Sequence, residues 1–494
     1  MNLVWMVLLN FVNPRADSQV LPAFKIHYSS QPFLFMPTRP PGPKPRFLIG
    51  NMPLASPNPL PIFSAWAAEF GDIFYYRAAW LHVYFLNHPD LIEEVLVRNY
   101  KNFLKDRVVR NSRWFFGEGL LTNEGDSWLR QRRLSQPAFH RERVSSYATI
   151  MTSYAQQMLA HWQDGETLDI HREMMRLTLQ IVVRALFNVE AEETAEISSA
   201  LNLIMSNTTG IRILFPPIAR YLPTPRMISF RRAVARLDHT VYSIIAQHRD
   251  NKIDSGDLLS MLISARDEDG SRMSDRQLRD EVLTFLIAGH ETTALTLTWT
   301  WHLLAQHPAV ERKLHEELDS LLGGRVPEFS DLPTLAYTER VIRESMRLYP
   351  PAWSVARTVI SDFELRGYRI PAGSNVVMSQ WIMHRNPTYF ADPQTFDPDR
   401  WSPEKAQKLP RFAYFPFGGG PRQCIGSSFA MMEATLLLAT IARDFRLRAV
   451  QDHPVVPIPS FTLRPKHGLP MTIATRDAKS GDVLNNLQTE TSGH

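Results

Sequence analysis

The sequence predicts a mainly α fold with a minor β region, on three observations. Apolar residues recur at helical spacing through several long segments, short alternating runs fit between turns, and no linker rich in Gly and Ser divides the chain after Pro45. At 494 residues the length alone suggests about three domains, but the unbroken pattern favours one large unit. That unit is expected over 40–475, after a leader at 1–39 and before a polar, aperiodic tail at 476–494 that reads as disordered. A hydrophobic content of 44% with 21% charged residues supports a large core and excludes wholesale disorder.

The elements follow in chain order. In the leader, Leu3 to Val12 and Pro32 to Met36 are apolar. A membrane-crossing helix needs ~20 apolar residues, and Pro14 and Arg15 stop the first run at about half that. No basic region precedes it, so it does not read as a signal peptide. The leader is therefore expected to dock on the core or to make shallow membrane contact, with the protein cytoplasmic or peripherally membrane-associated. Pro40 to Pro45 is a stiff lead-in. Helices are expected over Pro89–Arg98, Ser127–Gln136, Arg141–Trp162, Met174–Phe187, Met227–Arg249, Asp275–Gln306, Pro308–Leu322 and Thr338–Leu348. Strands are expected at Ile73–Tyr76, His82–Leu86, Phe363–Leu365, Tyr368–Ile370 and Asn375–Met378.

The net charge of +4 is small for this length and argues against a nucleic-acid partner. The clusters Arg130, Arg132, Arg133 and Arg231, Arg232, Arg236 are the kind that usually form solvated helix faces. A single cysteine excludes an internal disulfide and fits a reducing compartment.

That cysteine carries the functional reading. A lone cysteine is ordinarily a small buried hydrophobe, but Cys424 sits in Phe417-Gly418-Gly419-Gly420-Pro421-Arg422-Gln423-Cys424-Ile425-Gly426. Three glycines let backbone approach a flat cofactor, and Arg422 offers a guanidinium two residues before the sulfur. The alanine-rich run from Ile425 to Ala442 reads as a helix whose free amides would favour a thiolate. One sulfur cannot build a structural zinc site, but it can be the axial ligand of haem iron.

A second segment interrupts the apolar helix Val282–Ala305 with Ala288-Gly289-His290-Glu291-Thr292-Thr293. Gly costs ~1 kcal/mol against Ala in a helix and an unpaired buried carboxylate costs more, so these residues are not there for helix stability. Thr292 would return its hydroxyl to the carbonyl of Ala288 and open a polar notch. Glu344 and Arg347 lie three apart on one helix face, where they would pair.

Phe417, Gly420, Arg422, Cys424 and Gly426 resemble the haem-binding signature of the cytochrome P-450 superfamily, and the likeness runs from about Pro40 to Met471. The resemblance implies a triangular helical prism with haem b between the long central helix and the cysteine loop. It implies Cys424 as iron ligand, Thr292 and Glu291 as the residues that deliver protons to oxygen, and Trp128, Arg132, Arg357 and Arg422 as partners of the haem propionates. Arg400, in Phe396-Asp397-Pro398-Asp399-Arg400-Trp401, would join Glu344 and Arg347 in a structural pair behind the cysteine loop. By the family layout an apolar substrate pocket would draw on Trp114, Phe115, Phe116, Phe285, Ala288, Trp353, Ser354, Val355 and Phe461. Gly117 to Thr122 together with Ala288 to Thr293 looks closest to members that oxidise fatty acids, alkanes or terpenoids.

The implied activity is a monooxygenase that inserts one atom of O2 into an apolar substrate, acting as a monomer. Fewer than eighty residues follow the signature, too few for a flavin or nicotinamide domain, so electrons are expected from a separate ferredoxin or flavoprotein. A haem-thiolate isomerase or peroxygenase, or a non-catalytic haem sensor, would share Cys424 but have less use for Glu291 and Thr292.

Overall fold

The computed structural model describes residues 39–46, 50, 51, 58–188, 197, 199–201, 203, 204, 224–251 and 256–476. Contacts divide the chain between Thr38 and Arg39, and every described residue belongs to the second unit. Both apolar runs of the leader, and the tail after Arg476, lie outside the described residues.

Among the described residues, nine helices position the site: α1 (Leu60–Phe70), α2 (Gly125–Ser135), α3 (Ala148–Leu159), α4 (Ile170–Phe187), α5 (Pro225–Asn251), α6 (Asp275–Gln306), α7 (Pro308–Leu322), α8 (Ala336–Leu348) and α9 (Ser427–Asp444). The longest, α6, starts at a capping box in which Ser274 and Gln277 satisfy each other's backbone N–H groups. It packs against α4, α5, α8 and α9, which is why it is buried around nearly its whole circumference. Its threonines leave no orphaned hydroxyl: Thr284, Thr292, Thr293, Thr296, Thr298 and Thr300 each donate to the carbonyl four residues back.

One core joins α3, α4, α6, α7, α8 and α9 through residues such as Met151, Leu177, Leu297, Leu314, Ile342 and Leu437. A second lies under α5 and the N-terminal half of α6, with Phe230, Leu237, Val282, Leu286 and Ile287. The strands are β1 (Ile73–Ala78), β2 (Leu81–Leu86), β3 (Phe103–Lys105), β4 (Thr167–Asp169), β5 (Val355–Val359), β6 (Phe363–Leu365), β7 (Tyr368–Ile370), β8 (Asn375–Met378), β9 (Phe445–Ala449), β10 (Pro457–Pro459), β11 (Leu463–Pro465) and β12 (Pro470–Thr475). They form a five-stranded sheet in the order β1-β2-β8-β5-β3, a three-stranded sheet β4-β12-β9, and the hairpins β6-β7 and β10-β11. In the largest sheet β2 pairs parallel with β8, Val83 opposite Asn375, and β5 pairs antiparallel with β8, Arg357 opposite Val376. Alternation sorts its residues: Phe74, Tyr76, Val83 and Phe85 meet α1, and Tyr75, Tyr84 and Leu86 face a separate cluster.

The predicted helices are present with shifted edges. Arg141–Trp162 breaks at Tyr147 into Arg141–Ser146 and α3, and Pro89–Arg98 widens to a π turn from Glu94. The helix expected from Met174 starts at Ile170, because Asp169 caps it by accepting the His171 N–H.

Candidate active site

A cavity of about 440 Å³ lies between α6 and the loop that carries Cys424. From α6 come Phe285, Ala288, Gly289, Thr292 and Thr293; from the cysteine loop Phe417, Gly418, Cys424 and Gly426; from α2 Trp128 and Arg132; from β5 Val355 and Arg357. Most of the wall is apolar, so a ligand there would be largely desolvated.

The loop is folded by its own hydrogen bonds. The Cys424 N–H donates to the Phe417 carbonyl (3.0 Å), and the Gln423 N–H to that of Gly420 (3.0 Å). Gly420 is required twice over: its φ is +68°, and a Cβ there would lie 1.9 Å from the Leu96 carbonyl oxygen. Cys424 is exposed, and what it faces is the cavity. Burial in this apolar chamber pushes its thiol up, against the Gly426 N–H and the Arg132 guanidinium, which pull it down. The amides at the start of α9 therefore do not suffice to hold a thiolate; a metal cation in front of the sulfur would.

Cations gather at one end of the cavity. Arg132 donates to the Gln423 carbonyl (2.9 Å) and Arg357 to that of Ala356 (3.0 Å), and neither forms an ion pair among the described residues. Arg422 pairs with Glu124 (2.5 Å), donates to the Phe103 carbonyl (3.0 Å) and lies 5.4 Å from the centre of the Trp128 ring. Burial, followed by the Arg422 charge, presses Arg357 down to about 10. Lys105 joins them although no motif pointed to it: its Nζ donates to the carbonyls of Leu120 and Asn123, both at 2.7 Å, and burial presses it down to about 7. Two arginines without carboxylate partners on a cavity wall suit an anionic guest. Among the described residues no cluster of three or more His, Cys, Asp or Glu could hold a metal, so the site suits a metal that brings a macrocycle and acidic substituents of its own. The residues present fit haem.

On the facing wall, Thr292 donates its hydroxyl to the Ala288 carbonyl (2.7 Å), the bond expected from the sequence, and lines the cavity. Glu291 does not. It is buried, absent from the cavity wall, and bound to Arg464 (Nε, 2.6 Å) and to the Thr462 hydroxyl of the β10-β11 hairpin. Phe285, Ala288, Gly289, Thr292 and Thr293 share one face of α6, and at ~100° per residue Glu291 falls on the far side of the helix. The structure therefore does not bring Glu291, expected beside Thr292 in proton delivery, to the cavity wall.

The pocket set divides likewise. Phe285, Ala288, Ser354 and Val355 line the cavity. Phe115 and Phe116 do not; their rings meet at a tilt (4.1 Å between centres) inside the core under α5, where Trp114 also packs on Phe230. Trp353 is likewise off the wall, its indole donating to the Ser460 carbonyl (2.9 Å), and Phe461 packs against the α5 core. Arg130 and Arg133 are occupied by Asp267 (2.8 Å) and Glu268 (3.0 Å). Glu344, fully buried, receives Arg347 through two bonds (2.8 and 2.9 Å), Arg400 (3.3 Å), the Trp401 indole (3.0 Å) and the Asp397 N–H (3.0 Å).

The Cytochrome P450 family model matches residues 40–471. The chain belongs to the cytochrome P450 family. This P450 is 39% identical to the cyclooctatin synthase of Streptomyces melanosporofaciens over 86% of its own length and 92% of the relative's. It is 36% identical to the pentalenene oxygenase of Streptomyces avermitilis over 87% and 98%. The crystal structure of the cytochrome P450DA heme domain superposes with a TM-score of 0.81 at 28% identity, covering 90% of this P450 and 99% of that chain. The P450 is thus a haem protein and an oxidoreductase that incorporates molecular oxygen. No helix among its described residues is long and apolar enough to cross a membrane.

Proposed function

We propose that this P450 oxygenates a terpenoid, inserting one atom of O2 into a C–H or C=C bond, with haem b bound through Cys424. The observation that carries the reading is the cavity itself: one thiol on its wall, a back-bonded threonine on the helix opposite, cations at one end and apolar walls elsewhere. Haem, when bound, supplies dioxygen activation. The chain's residues do the rest. Arg132, Arg357 and Arg422, with Trp128, hold the cofactor's carboxylates, and Phe417, Gly420 and Gly426 shape the loop that presents the sulfur.

Thr292 gives its own proton to the Ala288 carbonyl, so the lone pairs of Oγ1 point into the chamber and receive a proton donor such as water. Phe285, Ala288 and Val355 exclude bulk water and orient an apolar skeleton. The terpenoid class is supported by the two relatives, whose names tie them to cyclooctatin and pentalenene. A separate ferredoxin or flavoprotein delivers the electrons to a monomeric enzyme in the cytoplasm.

The test is turnover of sesquiterpene and diterpene hydrocarbons by the holoprotein with a surrogate ferredoxin and its reductase under ¹⁸O2. One labelled oxygen per product molecule is expected. Product that carries unlabelled oxygen, or forms solely with added peroxide, overturns the proposal.

A further inference from the structure

Two acids at the start of α6 play no part in the chemistry above, and both bind the backbone of one loop. The Glu118 N–H donates to Asp280 Oδ2 (2.8 Å), and the Leu120 N–H to Glu281 Oε2 (2.9 Å). Arg279 braces the pair, bonding Asp280 (2.8 Å), the Phe115 carbonyl (3.2 Å) and Asp238 on α5. The loop lies directly against the helix: a Cβ on Gly119 would come within 2.3 Å of the Thr284 hydroxyl and 2.4 Å of the Asp280 carbonyl oxygen. A Cβ on Gly117, whose φ is +75°, would strike Asp280 at 2.0 Å.

Leu120 and Leu121, carried by this loop, line the cavity beside Thr284 and Phe285 of α6. The Leu120 peptide is held at both ends, its N–H by Glu281 and its carbonyl by Lys105 (2.7 Å). Glu281 is fully buried and makes no other hydrogen bond among the described residues, its Oε1 meeting no partner. Burying such a group is costly, and helix formation gains nothing from it.

We infer that Asp280 and Glu281 are positioning residues for the substrate: they pin Gly117–Leu121 to α6 and so set how far Leu120 and Leu121 project into the chamber. The size of ligand accepted follows from that latch. The inference rests on the reading of this cavity as the substrate chamber.

The experiment compares two azoles on the holoenzyme by absorbance titration. Imidazole needs little beyond access to the iron, whereas 4-phenylimidazole must also fit the walls. Gln matches Glu281 in shape and keeps a side-chain oxygen that accepts from the Leu120 N–H. Glu281→Gln should therefore bind both azoles within about twofold of the unaltered enzyme. Glu281→Leu strands the Leu120 N–H, and Gly119→Ala forces the loop off the helix by sterics alone. Each should leave imidazole within about twofold and shift the 4-phenylimidazole Kd about tenfold. Exchange of the Leu120 amide with deuterium should quicken about tenfold in Glu281→Leu.

An unchanged ratio of the two affinities in Gly119→Ala, with normal haem absorbance, overturns the latch even where Glu281→Leu fails to fold. So does Glu281→Gln behaving like Glu281→Leu. Absence of azole binding by the unaltered protein overturns the haem reading beneath the inference, and the inference with it.

Discussion

Cys424 and Thr292 enter one cavity from different elements, and each has a substitution that isolates its role. Cys424→Ser removes the sulfur while keeping the loop's hydrogen bond to Phe417, so the carbon monoxide complex should lose its thiolate-type absorbance band; retention of that band would place the ligand elsewhere. Thr292→Ala should keep the fold but divert electrons to hydrogen peroxide, lowering product per electron several-fold, about the loss expected for one proton-handling group. Glu291→Leu should do the reverse. It leaves Arg464 unpaired and should cost about 2–3 kcal/mol by urea unfolding, the low side for a buried pair because the Arg464 side chain is 26% exposed, with coupling kept. Neighbouring residues made Cys424 and Thr292 legible in the sequence. Helical geometry could have separated Glu291 from Thr292, but nothing separated lining aromatics from packing ones: Phe285 lines the cavity whereas Phe115, Trp353 and Phe461 do not. Lys105 and Glu281 left no signal because backbone carbonyls and amides, invisible in a sequence, are their partners.

The elements that read most clearly are those whose apolar pattern is long enough to average out exceptions. The helices α4 to α8 came within a few residues of their expected edges; α1, β3 to β5 and β9 to β12 were not anticipated, most of the strands being three to five residues with no room for alternation. The Glu344 cluster shows how elements are tied across sequence. Glu344 and Arg347 on α8 collect the Pro393–Trp401 segment, since Arg347 also donates to the carbonyls of His384 (2.9 Å), Pro393 (2.7 Å) and Thr395 (3.0 Å). Glu344→Ala would strand a fully buried guanidinium, and we expect a loss of about 3–5 kcal/mol in urea unfolding together with poor haem loading. Charge removal on both sides, Glu344→Gln with Arg347→Met, should recover part of that loss; if the double variant is as unstable as Glu344→Ala, packing rather than stranded charge sets the cost.

Across the whole molecule, buried titratable groups of opposite type give stability two limbs in pH. Burial pushes Glu281 and Glu433 up to about 8 from 4.5, so the folded state keeps protons that the unfolded chain sheds. Their contribution is complete below about 4.5 and is lost as pH rises to about 8. His302 and His315 run the other way. Burial holds them neutral, at about 4 and about 3, while the unfolded chain takes up protons below 6.5, so stability is lost as pH falls from 6.5 toward those values. Lys105, pressed down to about 7 from 10.5, adds stability as pH rises between those values and so masks the Glu281 and Glu433 loss only between about 7 and 8. Single variants remove the masking, because each is compared with the parent at the same pH. The urea midpoint of Glu433→Gln should gain on the parent steadily from pH 5 to 8, and that of His315→Asn should gain as pH falls from 6.5 to 4. A constant gap in the first series would mean that Glu433 is ionised in the folded protein, and a constant gap in the second that His315 is charged there, in which case water reaches the core between α7 and β9 that the packing closes to it.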